Sequence, residues 1–159
     1  MLKNEYRESI WISKWALIFL SGVIVALSSV LVVQSIFGLI AGWTPAVTYL
    51  FLALIVTFSL ITLNFRKLNI KVNSENIEVR YGIIKKKISL NEVISCEPTM
   101  VRGIAYGGVG IRVGVDGSLA YITSFGDAVK IMRRNDRPFV FSTKNPEKLS
   151  KIINKMSKS

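Results

Sequence analysis

The sequence predicts an α+β membrane protein: an N-terminal two-helix transmembrane hairpin, then a strongly bent β-sheet or partial barrel of about seven strands, capped by one C-terminal α-helix. Three observations carry this. No Asp, Glu, Lys or Arg falls between Lys14 and Arg66, an uncharged run of 51 residues, whereas about a quarter of an ordinary soluble domain is charged. From Leu68 onward short stretches alternate apolar and polar with period two, the pattern of half-buried strands. Finally, Leu149, Ile152, Ile153 and Met156 recur at i, i+3, i+4 and i+7, which places one apolar stripe on a helix.

The elements follow in order. Residues 1–14 form an N-terminal segment that carries Lys3, Arg7 and Lys14. A helix needs about 20 apolar residues to cross a roughly 30 Å hydrocarbon core, so the uncharged run suits two crossings, over about 15–39 and 45–64. Between them Gly42 can end one helix and Pro45 suits the first turn of the next. Trp11 and Trp15 mark one interface, Trp43 and Tyr49 the other. Cations precede the first span, Arg66, Lys67 and Lys71 follow the second, and the hairpin tip is uncharged. The positive-inside rule then places both termini in the cytoplasm, on a multi-pass protein of the cell membrane. A cleaved leader is not expected, because the first apolar stretch exceeds a signal peptide's and a second follows at once. The four-residue spacings Gly22/Ala26 and Gly38/Gly42 suit packing within the hairpin or an interface with a second copy. Gln34 alone does not make an ion pathway.

Residues 66–159 are read as a cytoplasmic domain. Asn69–Asn73 and Ile77–Tyr81 alternate around the turn Ser74-Glu75-Asn76, a β-hairpin. A third strand over 83–90 holds Lys85, Lys86 and Lys87 and reads as an edge or solvent-facing strand. A short fourth strand containing Val93, Ile94 and Cys96 ends at Pro98. Residues 102–114 contain five glycines but match neither the phosphate-loop nor the dinucleotide spacing. They read as a bulged strand-to-strand loop or as a basic loop that meets lipid or a partner. Strands resume over 119–125, 128–133 and 138–142, with Asn135-Asp136 as turn chemistry. Asn145 then suits an N-cap, Pro146 the first helical position and Glu147 the positive dipole end.

The chemistry is narrow. With no His there is no imidazole base or ligand, and one Cys cannot build a thiolate site, which excludes zinc enzymes and Ser/His/Asp hydrolases. Cys96 reads as a small buried side chain. Asp116, Asp127 and Asp136 fall in separate turns without a partner base, so no catalytic residue, metal or cofactor is expected.

The opening hairpin Ile70 to Tyr81 followed by Gly82, the basic strand Ile84-Lys85-Lys86-Lys87-Ile88, the segment Tyr106-Gly107-Gly108-Val109-Gly110-Ile111-Arg112 and the ending Phe139 to Leu149 with its Pro-started helix form one ordered pattern. Behind a two-span hairpin, that pattern resembles the membrane-anchored bacterial pleckstrin-homology-like domain family. The likeness runs from Leu68 to Met156 and implies a non-enzymatic binding or scaffolding module.

Charge points to the partner. Residues 66–159 hold 18 Lys+Arg against 8 Asp+Glu, so nearly all of the net +11 of the whole chain lies there. An anionic leaflet attracts such a surface at about 1 kcal/mol per cation. The candidate contacts are Lys85, Lys86 and Lys87; Arg102 and Arg112 around the Gly-rich segment; and Arg133, Arg134 and Arg137. Two functions compete: docking of a basic face on anionic lipid headgroups or a neighbouring membrane protein, and a structural or regulatory subunit that assembles through the hairpin and an open strand edge. Specific nucleic acid recognition is not expected, because Phe125, Phe139 and Phe141 read as core positions rather than a stacking platform.

Overall fold

The computed structural model describes residues 6–37 and 45–158. The predicted break around Gly42, the Trp43 anchor, the Gly38/Gly42 spacing, the first span's end at Leu39 and Lys3 lie outside them. The chain divides into two units, Lys14–Asn64 and a β-rich unit built from the residues on either side.

The first unit contains two helices, α1 (Lys14–Phe37) and α2 (Pro45–Phe65). At 1.5 Å per residue they are about 36 and about 31 Å long, and both are long and apolar enough to cross a membrane. None of the residues in their apolar stretches is buried. Trp15, Phe19, Ile36, Tyr49 and Leu63 are instead exposed. Four hydroxyls inside the helices bond to the preceding turn of their own helix. Ser29 and Ser35 donate to the carbonyls of Val25 and Leu31 at 2.8 and 2.9 Å, and Thr57 and Thr62 to those of Ala53 and Phe58 at 2.8 and 2.7 Å.

The second unit holds two sheets. The first has the order β1-β2-β3-β4, with β1 Tyr6–Trp11, β2 Lys67–Val72, β3 Asn76–Tyr81 and β4 Ile84–Ser89, each pair antiparallel. The second has the order β5-β8-β9-β7-β6, with β5 Val93–Val101, β6 Gly110–Val113, β7 Leu119–Ile122, β8 Gly126–Arg133 and β9 Phe139–Ser142. Its β7 and β9 run parallel. Two sheets of nine strands among the described residues thus replace the single bent sheet of about seven. The inward residues of both sheets share one core: Leu68, Ile70, Val79 and Ile88 from the first, Val129, Ile131, Phe139 and Phe141 from the second. Helix α4 (Pro146–Ser157) adds Leu149 and Ile153 to it and leaves Lys148, Lys151 and Lys155 in solvent. An aromatic chain runs through the core from Phe65 to Tyr81, Tyr121 and Phe139 with centroids 5.3, 5.9 and 5.1 Å apart. Burial raises the Tyr81 hydroxyl well above the usual phenol range, and it donates to the Ile122 carbonyl at 2.7 Å.

Several expectations need correction. The N-terminal segment is not separate from the domain, because Tyr6–Trp11 pairs with β2 along its whole length. β5 does not stop at Pro98 but continues to Val101. An edge strand tolerates a residue without an N–H, and β5 is an edge. The Gly-rich segment is not one irregular loop. It contains a four-residue helix, α3 (Gly103–Tyr106), closed by Gly107 in the left-handed region at φ 68°, and then strand β6. Asn145 precedes α4, yet its side chain makes no capping bond. Phe139 and Phe141 are core residues, but Phe125 is 55% exposed. Cys96 is buried as expected, and burial pushes its thiol up to about 12.

Candidate functional site

Alternation along a strand sends every second side chain to one face. In the first sheet the inward set is apolar apart from Glu8 and Lys86, so the outward set can be charged, and the register gathers it into rows. Arg7 lies opposite Lys71, Lys71 opposite Glu78 and Glu78 opposite Lys87. In the next row Ser9 lies opposite Asn69, Asn69 opposite Arg80 and Arg80 opposite Lys85. Trp11 faces Lys67 at the ladder's end, with the Arg66 guanidinium 5.8 Å and the Lys67 ammonium 5.3 Å from the Trp11 ring. The face therefore carries Arg7, Lys67, Lys71, Arg80, Lys85 and Lys87 around the carboxylate of Glu78, which sits 3.8 Å from the Arg80 guanidinium. A groove of about 450 Å³ crosses it, lined by Arg7, Ser9, Asn69, Lys71, Glu78 and Arg80.

Two of those registers set like charge directly opposite like charge, Arg7 against Lys71 and Arg80 against Lys85. Such cross-strand pairs are unfavourable where opposite-charge pairs would contribute roughly 0.2–1 kcal/mol each. Glu78, opposite both Lys71 and Lys87 and 3.8 Å from Arg80, offsets part of that repulsion.

The cations singled out in the sequence separate on this frame. Lys85 and Lys87 are exposed on the cationic face. Lys86 points to the opposite side, opposite Val79, and its ammonium lies 3.4 Å from Asp136. Arg133 is buried: its Nη1 binds the same Asp136 carboxylate and its Nε donates to the Arg137 carbonyl at 3.0 Å. The Arg137 backbone N–H, then the neighbouring Arg133 and Lys86 charges, hold the Asp136 carboxyl below its usual range. Lys86 and Arg133 thus clamp the β8–β9 turn to β4, and only Arg134 and Arg137 of that cluster remain exposed. Arg112 is exposed but its Nε donates to the Val109 carbonyl at 3.1 Å, bracing the Gly-rich segment. Arg102 is exposed just before α3.

A second polar cluster is structural. Lys130 donates to Asp116 at 2.7 Å and Ser118 Oγ donates to it at 2.6 Å. These bonds, Lys130 first, lower the Asp116 carboxyl to about 2. Tyr106 and Ser118 share a hydrogen bond of 3.1 Å that ties α3 to the same turn. Among the described residues, no group of Cys, Asp and Glu gathers where a metal ion could be held.

Arg7, Lys67 and Lys71 stand in the sequence as cations flanking the apolar run, and neither they nor Arg80 were among the candidate contacts. The signal was period two: Lys67, Lys71, Arg80, Lys85 and Lys87 all occupy the outward places of their strands. Compared with protein-family models, curated proteins and solved structures, the chain matches none of them.

Proposed function

We propose that this chain is a membrane-anchored, non-enzymatic binding module of the pleckstrin-homology-like kind, whose cationic sheet face docks anionic phospholipid headgroups. Two transmembrane spans anchor it in the cell membrane with both termini in the cytoplasm. The observation that carries the reading is the gathering of Lys67, Lys71, Arg80, Lys85 and Lys87 on the outward face of one sheet around a single carboxylate, Glu78. Each cation held near an acidic leaflet adds about 1 kcal/mol. The length and apolar composition of α1 and α2 support the anchor, as do the hydroxyls of Ser29, Ser35, Thr57 and Thr62, which bond within their own helix.

The test holds the full-length protein in phosphatidylcholine nanodiscs and floats them with phosphatidylglycerol vesicles across a salt series. Capture at low salt that fades as screening grows is expected. Gln at Lys71, Arg80, Lys85 and Lys87 together should weaken it on the order of a hundredfold or more. Absence of capture at every salt concentration sinks headgroup docking.

A second reading, a regulatory subunit that offers a strand edge to a protein partner, is favoured by β6, whose outer edge is unpaired and whose Val113 is exposed. Pairing there would persist at high salt.

A further inference from the structure

The loop between β7 and β8 presents Phe125, 55% exposed, and its ring lies over the backbone of Gly103, where a Cβ would fall 3.4 Å from the ring. Beside it Ile104 of α3 is 98% exposed and Met100 of β5 is exposed as well. Core demands do not explain three large apolar side chains at the tips of separate segments. Two further observations say what they meet. The carbonyl of Thr123 accepts the backbone N–H of Ser13 at 2.7 Å, so this loop is pinned to the residue that immediately precedes α1. Exposed charges flank the apolar tips: Arg102 next to Gly103, and Lys144 together with the carboxylate of Asp127 on a cleft of about 270 Å³ beside Phe125. That cleft includes Thr123, which is fully buried and whose Oγ1 has no hydrogen-bond partner.

We infer that Phe125, Ile104 and Met100 form an interfacial foot that beds into the headgroup–acyl boundary of the bilayer in which the chain is anchored, with Arg102 and Lys144 on the phosphates around it. Apolar tips with charged groups around them fit that boundary, where ring and aliphatic groups enter and charges, the cations Arg102 and Lys144 and the Asp127 carboxylate alike, stay at headgroup level. The inference rests on the membrane anchor proposed above but not on the cationic sheet face. The foot binds through apolar area, so it needs no acidic lipid, whereas the sheet face does.

The experiment uses the full-length chain reconstituted in vesicles of phosphatidylcholine, with and without phosphatidylglycerol. An environment-sensitive fluorophore is placed on Phe125→Cys, on Ile104→Cys, on Ile94→Cys near the other end of β5, or on Ser28→Cys within α1. Cys96 stays in place, because its buried thiol does not label. Nitroxide on the upper acyl carbons of the lipid should quench the 104 and 125 labels in both vesicle types and blue-shift their emission. Aqueous iodide should quench the label at 94. If iodide quenches 104 and 125 as it does 94, while a deep nitroxide quenches 28, the foot is wrong and the anchor stands. If 28 also escapes the deep nitroxide, the anchor itself fails and the foot with it. Because 104 and 125 are exposed on different segments, misfolding of one variant leaves the other to decide.

Discussion

Glu8 shows how much one side chain can hold. It sits at an inward position of β1, where the alternation calls for an apolar residue, and its carboxylate accepts from Thr143 Oγ1 at 2.6 Å, the Lys144 N–H at 2.8 Å and the Tyr6 hydroxyl at 2.9 Å. The first sheet is thereby tied to the segment that leads into α4. Hydrogen bonds to a charged acceptor are worth about 1.5–3 kcal/mol each, with the larger losses where partners stay buried. Glu8→Ala should therefore lower the stability of the full-length protein by about 3 kcal/mol, with Glu8→Gln intermediate, as thermal unfolding in detergent would measure. An unchanged midpoint would mean that β1 is held by its ladder alone. Tyr81→Phe is a milder case: it leaves the Ile122 carbonyl buried without its donor and should cost about 1–2 kcal/mol in the same assay. Neither contact was legible in the sequence, since Glu8 and Thr143 lie 135 residues apart and a carboxylate at an inward place breaks the pattern by which β1 could have been read.

Elements were legible where local pattern and burial agree, and illegible where a distant partner decides. The hairpin β2–β3 follows from alternation, edge strand β4 from the break in alternation at its three lysines, and α4 from its apolar stripe. α3 and β6 did not, because glycines carry no periodicity and their conformations are set by close approach. Gly114 is the clearest instance: a Cβ there would fall 2.6 Å from the Tyr106 ring, 2.7 Å from Asp116 Oδ1 and 2.9 Å from Ser118 Oγ. Gly114→Ala should cost about 1–3 kcal/mol and release α3, which hydrogen–deuterium exchange over 103–113 would register as lost protection. The same turn should respond to acid. The Asp116 carboxyl lies at about 2 in the fold against its ordinary 3.8, so its contribution is fully present above about pH 4 and is lost as pH falls through about 2. The group is partly exposed, hence the effect is small. Asp116→Asn should remove this part of the acid dependence and leave stability near pH 7 lowered.

At the scale of the whole molecule, the pairing of β1 with β2 constrains topology independently of any charge rule. Residues 6–11 precede both helices and residues 67–72 follow them, yet the two segments are hydrogen-bonded along six registers. Both must lie on one side of any membrane that α1 and α2 cross, which requires an even number of crossings. The sequence reading reached the same count from the length of the uncharged run, without seeing that the N-terminal segment belongs to the domain. The strand ladder does not say which side that is; the cytoplasmic placement proposed above rests on the distribution of Lys and Arg. A thiol reagent that cannot cross membranes separates the two orientations. Asn73→Cys, exposed in the β2–β3 turn, and Lys158→Cys, exposed after α4, should both stay unlabelled in intact cells and label once the membrane is opened, while Cys96 stays silent in either state. Labelling of both in intact cells would reverse the orientation and remove the acidic cytoplasmic leaflet as the partner of the cationic face. Labelling of only one would break the shared fold of the β-rich unit, since both positions belong to it.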